Sequence, residues 1–254
     1  MNIINKVIEK MKGEKVIRIE KDENKTLTLT KGPEGISVKF NGITYSRRAE
    51  KKVFTGSYWD YFTPLPLLYE KPSILMIGLG GGTIVYQINK LYGKNVDMDV
   101  VEIDKKMVEL SKEFIPEEIK KINIFVEDGT EFIKKSKKRY ELVFLDAYDG
   151  DKIPDNFLEE KTIEDINNIL TKDGVLAINY AMSFKAIIFF QNYIGKLKKH
   201  FKVYLVNNPF GSGNTIILCS KKMDKTELLE KINKMKQDES NIHVIKGYNN
   251  MSNG

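Results

Sequence analysis

The residues of this chain that could perform chemistry lie in four short segments, each following a short apolar run. They are the glycine-rich loop Gly78–Gly82, then Glu102, then the pair Asp128 and Gly129, and then the two carboxylates Asp146 and Asp149. Ligands of open α/β sheets bind beyond the carboxyl ends of the strands, so we expect the four segments to meet at one sheet edge. Together they are suited to bind a nucleoside and to act on an amine.

The first three segments have the residue types of a nucleoside site. A glycine loop between a strand and a helix lets the backbone, at Gly78, Gly80 and Gly81, approach a ligand closely. Glu102 stands about 20 residues further on, where a carboxylate accepts hydrogen bonds from ribose hydroxyls. A carboxylate at Asp128 could receive the exocyclic amine of adenine. The glycine loop and Asp128–Gly129 also have a purely structural interpretation, as turns.

Asp146 and Asp149 follow the fourth predicted strand of the main sheet. Two carboxylates at the mouth of a nucleoside pocket would attract a cationic amine. One of them could take the amine proton, so that the nitrogen lone pair attacks a sulfonium carbon. The alternative is that these side chains are solvated or cap a helix, which is the role we expect for Asp104.

Two patterns of apolar residues divide the chain. Short alternating runs between residues 15 and 46, with turn signals such as Asn41–Gly42, predict a small antiparallel β region. After residue 54, apolar strands alternate with helices such as Met107–Phe114 and Phe157–Leu170, which predicts a mostly parallel sheet. Its predicted strands are 74–77, 98–101, 122–126, 142–145, 175–178, 201–206 and 215–219.

The turn residues Asn207–Gly213 predict that the last two strands form an antiparallel pair. Seven strands with a terminal hairpin are typical of class I S-adenosylmethionine-dependent transferases. We therefore predict an α/β fold, with a seven-stranded Rossmann-like methyltransferase sheet preceded by a small N-terminal antiparallel β domain. The predicted parts are an N-terminal β-strand domain (1–53), the transferase domain (54–246) and a loose C-terminal tail (247–254).

Composition limits the classes of function. The 254 residues are 41% hydrophobic and 30% charged. Apolar runs stay well short of the roughly 18 residues of a membrane span. Met1–Lys6 lacks the pattern of a secretion signal, so we expect a cytoplasmic protein. One cysteine and two histidines are too few for a zinc site, and we expect no metal. A net charge of +6 suggests nucleic acid, but aromatic residues do not interleave the lysines, so this partner is not favoured.

The order and spacing of these motifs resemble the spermidine synthase-like (polyamine aminopropyltransferase) family over about residues 57–179. The residues that carry the resemblance are Val101–Asp104, Val108, Ser111, Lys112, Phe114, Pro116, Asp128, Gly129, Phe132, Asp146, Asp149 and Asp173–Leu176. The resemblance implies that Glu102 holds the ribose, that Asp128 and Gly129 hold the adenine, and that Asp146 and Asp149 hold the amine acceptor.

The resemblance has two further implications. Tyr58 falls near the family's substrate tyrosine, which implies that it lines the acceptor channel, although its aromatic neighbours would also suit a core or an interface. The N-terminal strands correspond to the family's oligomerisation domain, which implies a homodimer or a homotetramer.

Three departures from the family pattern concern the substrate. Gly81 occupies the position of a family aspartate that binds the amine of decarboxylated S-adenosylmethionine, Asn179 replaces a family glutamine, and Gly150 replaces a proline. Without the aspartate, ordinary S-adenosylmethionine becomes admissible, because a carboxylate at that position would repel its carboxylate. We therefore expect methyl transfer from S-adenosylmethionine to a small amine or cationic acceptor.

Several alternatives stay open at this point. The first is polyamine aminopropyl transfer, as in spermidine synthase, from decarboxylated S-adenosylmethionine, with Asp146 alone holding the amine of this cofactor. The second is a nucleoside-binding oligomeric scaffold without catalysis. NAD-linked oxidation would explain only the glycine loop and Glu102, and RNA methylation would explain the positive charge.

Overall fold

The chain is organised around two β-sheets. The computed structural model describes residues 13–254 except 22–24, 117–118, 120–121, 151, 183 and 208–212. The N-terminal sheet is antiparallel, with its strands in chain order: β1 (Lys15–Lys21), β2 (Thr26–Gly32), β3 (Gly35–Phe40) and β4 (Ile43–Arg48). The predicted β3–β4 turn is present, with Asn41 and Gly42 at φ of 48° and 85°. This left-handed conformation suits asparagine and glycine in a two-residue hairpin.

The main sheet has eight strands in the order β12-β10-β11-β9-β8-β5-β6-β7. Its strands are β5 (Ser73–Ile77), β6 (Asp97–Glu102), β7 (Ile122–Val126), β8 (Tyr140–Leu145), β9 (Leu170–Ala181), β10 (Lys202–Asn207), β11 (Asn214–Ser220) and β12 (Ser252–Asn253). Strands β5 to β9 are parallel, whereas β11 runs antiparallel to both β9 and β10. The predicted α/β class is confirmed, and the seven predicted strands are present as β5 to β11, while β12 adds an eighth strand at the edge of the sheet.

The strand order reverses between β5 and β8, so their carboxyl ends form a crevice at the sheet edge. The helices are α1 (Thr83–Tyr92), α2 (Lys105–Phe114), α3 (Gly129–Lys135), α4 (Glu160–Ile169), α5 (Phe184–Lys198), α6 (Lys225–Ile232) and α7 (Ile242–Asn249). Short 3₁₀ helices lie at Tyr58–Phe62, Leu65–Leu68, Gly93–Asn95 and Asp155–Leu158.

Both faces of the main sheet are covered. Along β5, Ile74 and Met76 belong to one buried cluster, and Leu75 and Ile77 belong to the other. This alternation follows from the two-residue period of a strand, and apolar residues on both faces are typical of a parallel sheet. The apolar run 74–77 thus fixes β5 at the centre of the sheet.

The C-terminal residues are folded, so the predicted loose tail at 247–254 is wrong. α7 extends to Asn249, and β12 adds a two-residue edge strand beside β10. Tyr248 and Met251 are buried because, with Val244, they form an apolar stripe at near-helical spacing. The polar residues between them conceal this stripe when the segment is judged by composition.

The helix predicted over Phe157–Leu170 is divided in two. Asp155–Leu158 forms a 3₁₀ turn, and α4 begins only at Glu160. Leu170 already belongs to β9, where it pairs with Tyr140 of β8. Pairing in the sheet therefore ends the helix earlier than its apolar pattern indicates.

Two expectations fall on residues outside the described ranges. Met1–Lys6 lies before them, and the predicted turn Asn207–Gly213 is described only at its two ends. Within the described ranges, the helices are too short or too polar to cross a membrane.

Candidate active site

A cavity of about 560 Å³ lies at the carboxyl ends of the parallel strands. This volume is within the range of small-molecule sites. It is lined by eight of the predicted site residues: Tyr58, Gly78, Gly80, Glu102, Asp128, Gly129, Asp146 and Asp149. Phe40, Ile43 and Tyr45 of the N-terminal sheet line the cavity as well. The two sheets therefore enclose the site together.

Gly78 allows the glycine loop to approach the loop that follows β8, residues 146–150, which we call the acidic loop. Its φ is +89°, and a Cβ there would lie 2.4 Å from the carbonyl oxygen of Asp146 and 2.9 Å from Cα of Ala147. Its N–H donates to the carbonyl oxygen of Val101 at 2.8 Å. Only glycine tolerates both this conformation and this contact, so the loop sequence is required by the packing of β5 against β6 and β8.

Glu102 ends β6 and faces the glycine loop. Its Oε2 accepts hydrogen bonds from the N–H groups of Leu79 at 2.8 Å and Gly80 at 3.4 Å, and its Oε1 accepts one from the N–H of Asp104 at 3.0 Å. Burial raises the pKa of Glu102, while these backbone donors oppose the rise. The carboxylate is thus held rigidly at the position predicted for the ribose.

Asp104 and Asp128 both cap helices. Asp104 accepts from the N–H groups of Lys106 and Met107 at the start of α2, as predicted. Oδ1 of Asp128 accepts from the backbone N–H of Thr130 at 2.8 Å and of Glu131 at 3.2 Å, and from the Thr130 hydroxyl at 2.5 Å. These donors lower the pKa of Asp128, with the hydroxyl bond as the largest cause. The carboxylate predicted to meet the adenine is therefore ionised and fixed in orientation.

Asp146 lies at the centre of the cavity wall, directly after β8. Its Oδ1 accepts a hydrogen bond of 2.7 Å from Nδ2 of Asn179, and the Tyr58 hydroxyl lies 3.5 Å from its Oδ2. Burial raises the pKa of Asp146 to about 7, against the two donors, and the nearby Glu102 adds to the rise. A carboxyl that titrates near neutral pH is suited to accept and release a proton.

Asp149 lies at the rim of the cavity and is exposed. The backbone N–H of Asp149 donates to the carbonyl oxygen of Lys152, with an N···O distance of 2.9 Å. The hydroxyl of Tyr45, on β4, donates to the carbonyl oxygen of Gly150 at 2.7 Å. The N-terminal sheet therefore holds the acidic loop from the opposite side.

Gly81 does not line the cavity, which differs from the predicted contact with the cofactor. It is buried against the N-terminal sheet, where its N–H donates to Oγ of Ser46 at 2.7 Å. A Cβ at this position would lie 2.6 Å from Cγ2 of Val38 and 2.8 Å from Cβ of Ser46. The N-terminal sheet thus occupies the space into which a side chain at residue 81 would extend.

We expect Gly81→Asp to destabilise the protein rather than to strengthen its site. The new side chain must displace Val38 or Ser46, and such overpacking costs about 1–3 kcal/mol. Denaturant unfolding measures the loss of free energy, with Gly195→Asp as the control because Gly195 is exposed and a Cβ there meets open space. An equally stable Gly81→Asp protein with tighter amine binding would contradict this expectation.

Sequence analysis missed Lys25, Tyr148 and Asn214 as parts of the site. Lys25 and Asn214 line the cavity. The Tyr148 hydroxyl donates to the carbonyl oxygen of Asn179 at 2.8 Å and accepts from the N–H of Ala181 at 2.8 Å. Asn214 could have been found, because the first residue of an antiparallel strand lies beside the last residues of its neighbour. No feature of the sequence around Lys25 indicated that it lies at the cavity.

The lining of the cavity is rich in acidic side chains. Among the described lining residues, six are carboxylates: Glu102, Asp104, Glu127, Asp128, Asp146 and Asp149. Lys25 is the basic residue of that set, and Glu127 is paired with Lys135 outside it. The cavity therefore attracts cations although the whole chain carries +6.

A buried carboxylate holds the segment that carries Tyr58. Asp60 is 0% exposed and accepts hydrogen bonds from the backbone N–H groups of Thr55 and Gly56 and from Nε2 of Gln87. Nε2 of His243, on α7, lies 2.9 Å from its Oδ2. This Asp60 cluster joins the chain before Tyr58 to α1 and to the C-terminal helix.

The sheet order and the cavity at its strand reversal define the Rossmann-like methyltransferase fold. The family described as "Spermine/spermidine synthase domain" matches residues 57–231. The chain belongs to this family.

Curated relatives agree with that family. The polyamine aminopropyltransferase of Neisseria meningitidis serogroup A is 27% identical over 175 residues, which are 68% of this chain and 65% of that protein. The polyamine aminopropyltransferase of Prochlorococcus marinus (strain MIT 9312) is 31% identical over 143 residues, 53% of this chain and 50% of that protein. The match thus spans between half and two thirds of these relatives.

Solved structures support the fold. A spermidine synthase in complex with the transition-state analogue AdoDATO gives a TM-score of 0.70 at 21% identity, covering 90% of this chain and 83% of that one. Thermotoga maritima spermidine synthase gives 0.67 at 21% identity, covering 90% and 82%. Human methyltransferase-like protein 13 in complex with SAH gives 0.58 at 21% identity, covering 76% and 92%. At these identities the similarity concerns the fold alone.

Proposed function

We propose that this protein is an aminopropyltransferase that uses decarboxylated S-adenosylmethionine and a small polyamine-like acceptor. The observation that carries the proposal is Asp146, a carboxyl with a pKa near 7 at the centre of an acidic cavity. Acceptors with several ammonium groups suit such a cavity because each charge finds a carboxylate. Family membership and the curated aminopropyltransferases support the same reaction.

Methyl transfer, which sequence analysis favoured, has weaker support than its alternative. That expectation depended on Gly81, where the family has an aspartate. In this chain Val38 and Ser46 fill the space beside Gly81, so the change accompanies a local repacking and is a poor guide to the substrate. The cavity is lined by six carboxylates without that aspartate, so it still attracts the ammonium group of an aminopropyl chain.

The lining residues fit an adenosyl group. Glu102 presents a fixed carboxylate for the ribose hydroxyls, and Asp128 presents one for the adenine amine. Ile103 is 69% exposed although it lines the cavity, so it offers apolar surface to the flat face of a base. We assign Gly78, Gly80 and Gly129, which line the cavity, to the walls around this group.

In the proposed mechanism, Asp146 prepares the acceptor for in-line displacement. The bound cofactor supplies a carbon activated by its sulfonium. The Asp146 carboxylate orients the acceptor nitrogen and takes a proton from it, while Tyr58 and Asn179 hold that carboxylate in place. Asp149, at the rim, binds a second ammonium group of the acceptor. The new C–N bond replaces the C–S bond, and methylthioadenosine leaves.

Product analysis tests the proposed function. The purified protein is incubated with putrescine or spermidine and with decarboxylated or ordinary S-adenosylmethionine in separate reactions. We expect methylthioadenosine and a lengthened polyamine from the decarboxylated form. Formation of S-adenosylhomocysteine alone would reverse the order of the two hypotheses, and neither product would contradict both. Inclusion of RNA and of NAD in parallel reactions tests the two remaining alternatives.

We expect the rate of transfer to fall on the acidic side of about pH 7. Because burial raises the pKa of Asp146 to about 7, its reactive carboxylate is present above that pH and is lost as the pH falls. Because this pKa is that of the free enzyme, kcat/KM for the acceptor should drop about tenfold per pH unit below the midpoint. An acidic limb near pH 4 would indicate an ordinary carboxyl and would contradict the role of Asp146.

Two expectations about the whole protein stay predictions. A homodimer or homotetramer is implied by the family's use of its N-terminal strands, and sedimentation measures it. The expectation that transfer needs no metal is measured by assay after exhaustive chelation.

A further inference from the structure

Asn214 is joined to Asp146 through one intermediate side chain. It begins β11, opposite Ala181 of β9. Its Nδ2 donates to Oδ1 of Asn179 at 2.8 Å, and Nδ2 of Asn179 donates to Oδ1 of Asp146 at 2.7 Å. Asn179 is 1% exposed, so water does not compete for its amide. The three side chains form a directed chain of hydrogen bonds.

We propose that Asn214 is a positioning residue, which fixes the orientation of the Asn179 amide so that its NH₂ group faces Asp146. An amide has one end that donates and one that accepts, and the two ends have nearly the same shape. Because Nδ2 of Asn214 is a donor, it binds the carbonyl end of the Asn179 amide. The donating end is then directed at Asp146.

This orientation opposes the effect of burial on Asp146. An NH₂ group facing the carboxyl stabilises its ionised form, whereas a carbonyl oxygen there would stabilise the protonated form. The other groups near Asp146 are the Tyr58 hydroxyl, which also donates, and Glu102, whose negative charge opposes ionisation. Tyr148 contacts the backbone beside Asn179 and leaves its amide unconstrained. Among the described groups, Asn214 is the one that donates to the carbonyl end of the Asn179 amide, and it therefore holds this orientation also when Asp146 is protonated.

A double-mutant cycle tests the proposal. The variants are Asn214→Leu, Asn179→Ala and the two together, and the measurement is a ¹³C NMR titration of the Asp146 carboxyl, assigned with Asp146→Asn. Asn179→Ala should raise the titration midpoint by about one pH unit, the value expected for loss of a hydrogen bond to a charged group. Asn214→Leu should raise it by a fraction of that amount. The double variant should show no further rise beyond Asn179→Ala.

The cycle separates positioning from direct electrostatics. If Asn214→Leu leaves the midpoint unchanged, or shifts it equally in the Asn179→Ala background, the proposal is wrong. Asn123→Ala is the matched control, because it removes an asparagine that donates to Asp99 at 2.8 Å and does not line the cavity. It should leave the midpoint unchanged. Retained amide spectra show that each variant is folded.

The kinetic consequence rests on the proposed function, but the titration does not. If the protein is an aminopropyltransferase, Asn214→Leu should move the acidic limb of kcat/KM upward with the NMR midpoint, since both report the free enzyme. A shifted midpoint without any transfer activity would contradict the proposed function and leave the role of Asn214 supported. Activity with an unchanged midpoint would contradict the role of Asn214 alone.

Discussion

Asp146→Asn should lower kcat for aminopropyl transfer about 10²-fold to 10⁴-fold, the range for loss of a general base. The substitution keeps the shape of the side chain and still accepts from Asn179, but it cannot take a proton from the amine. Glu102 and Asp128, which we assign to the adenosyl group, are unchanged. Calorimetry should therefore find adenosyl binding within a few-fold of the parent, while single-turnover transfer is lost.

Asp155→Asn is a suitable control for this experiment. Asp155 is a carboxylate on the segment after the acidic loop, and its side chain is 82% exposed. The Asp155→Asn variant should catalyse transfer at the parental rate. If Asp146→Asn retains more than a tenth of the parental kcat, Asp146 is not the proton acceptor. If it loses adenosyl binding instead, its main role is in binding the cofactor.

Asp60→Ala should destabilise the protein by about 3–5 kcal/mol, because each buried donor that loses its partner costs about 1–3 kcal/mol. The substitution leaves the N–H groups of Thr55 and Gly56, Nε2 of Gln87 and the ring of His243 without their shared carboxylate. Each buried donor without a partner costs free energy, and a cavity adds to the loss. For a chain of this size, Tm should fall by about 10 °C.

Thermal and denaturant unfolding measure this loss, with Asp155→Ala as the exposed counterpart. Asp155→Ala should change the free energy of unfolding by less than about 0.5 kcal/mol. A loss below about 1 kcal/mol for Asp60→Ala would show that the Asp60 cluster contributes little to the stability of the fold. His243→Gln should have a smaller effect, because the amide still donates to Asp60.

Most of the main sheet could be predicted from local sequence. The apolar runs at 74–77 and 142–145 become β5 and β8, because runs of this kind are buried on both faces of a parallel sheet. Their shared edge then brings Gly78 and Asp146 into contact, so the approximate location of the site followed from strand ends alone.

The remaining features depend on contacts between distant parts of the chain. The packing of Ser46 on Gly81 joins the N-terminal sheet to the glycine loop, and the contact of Asp60 with His243 spans most of the sequence. Local periodicity carries no information on either pair. The folded C-terminus was missed for a different reason, since Tyr248 and Met251 lie within a polar segment too short for its spacing to stand out.

The N-terminal sheet contacts both the glycine loop, through Ser46, and the acidic loop, through Tyr45. The N-terminal sheet is separate from the main sheet along the chain, but the two form the site together. A protein without its N-terminal sheet would lose one wall of the cavity and would expose Gly81. Replacing β3 and β4 by the corresponding strands of a relative would change the shape of the cavity and keep all six of its carboxylates. Such an exchange is a way to alter the preference for the acceptor.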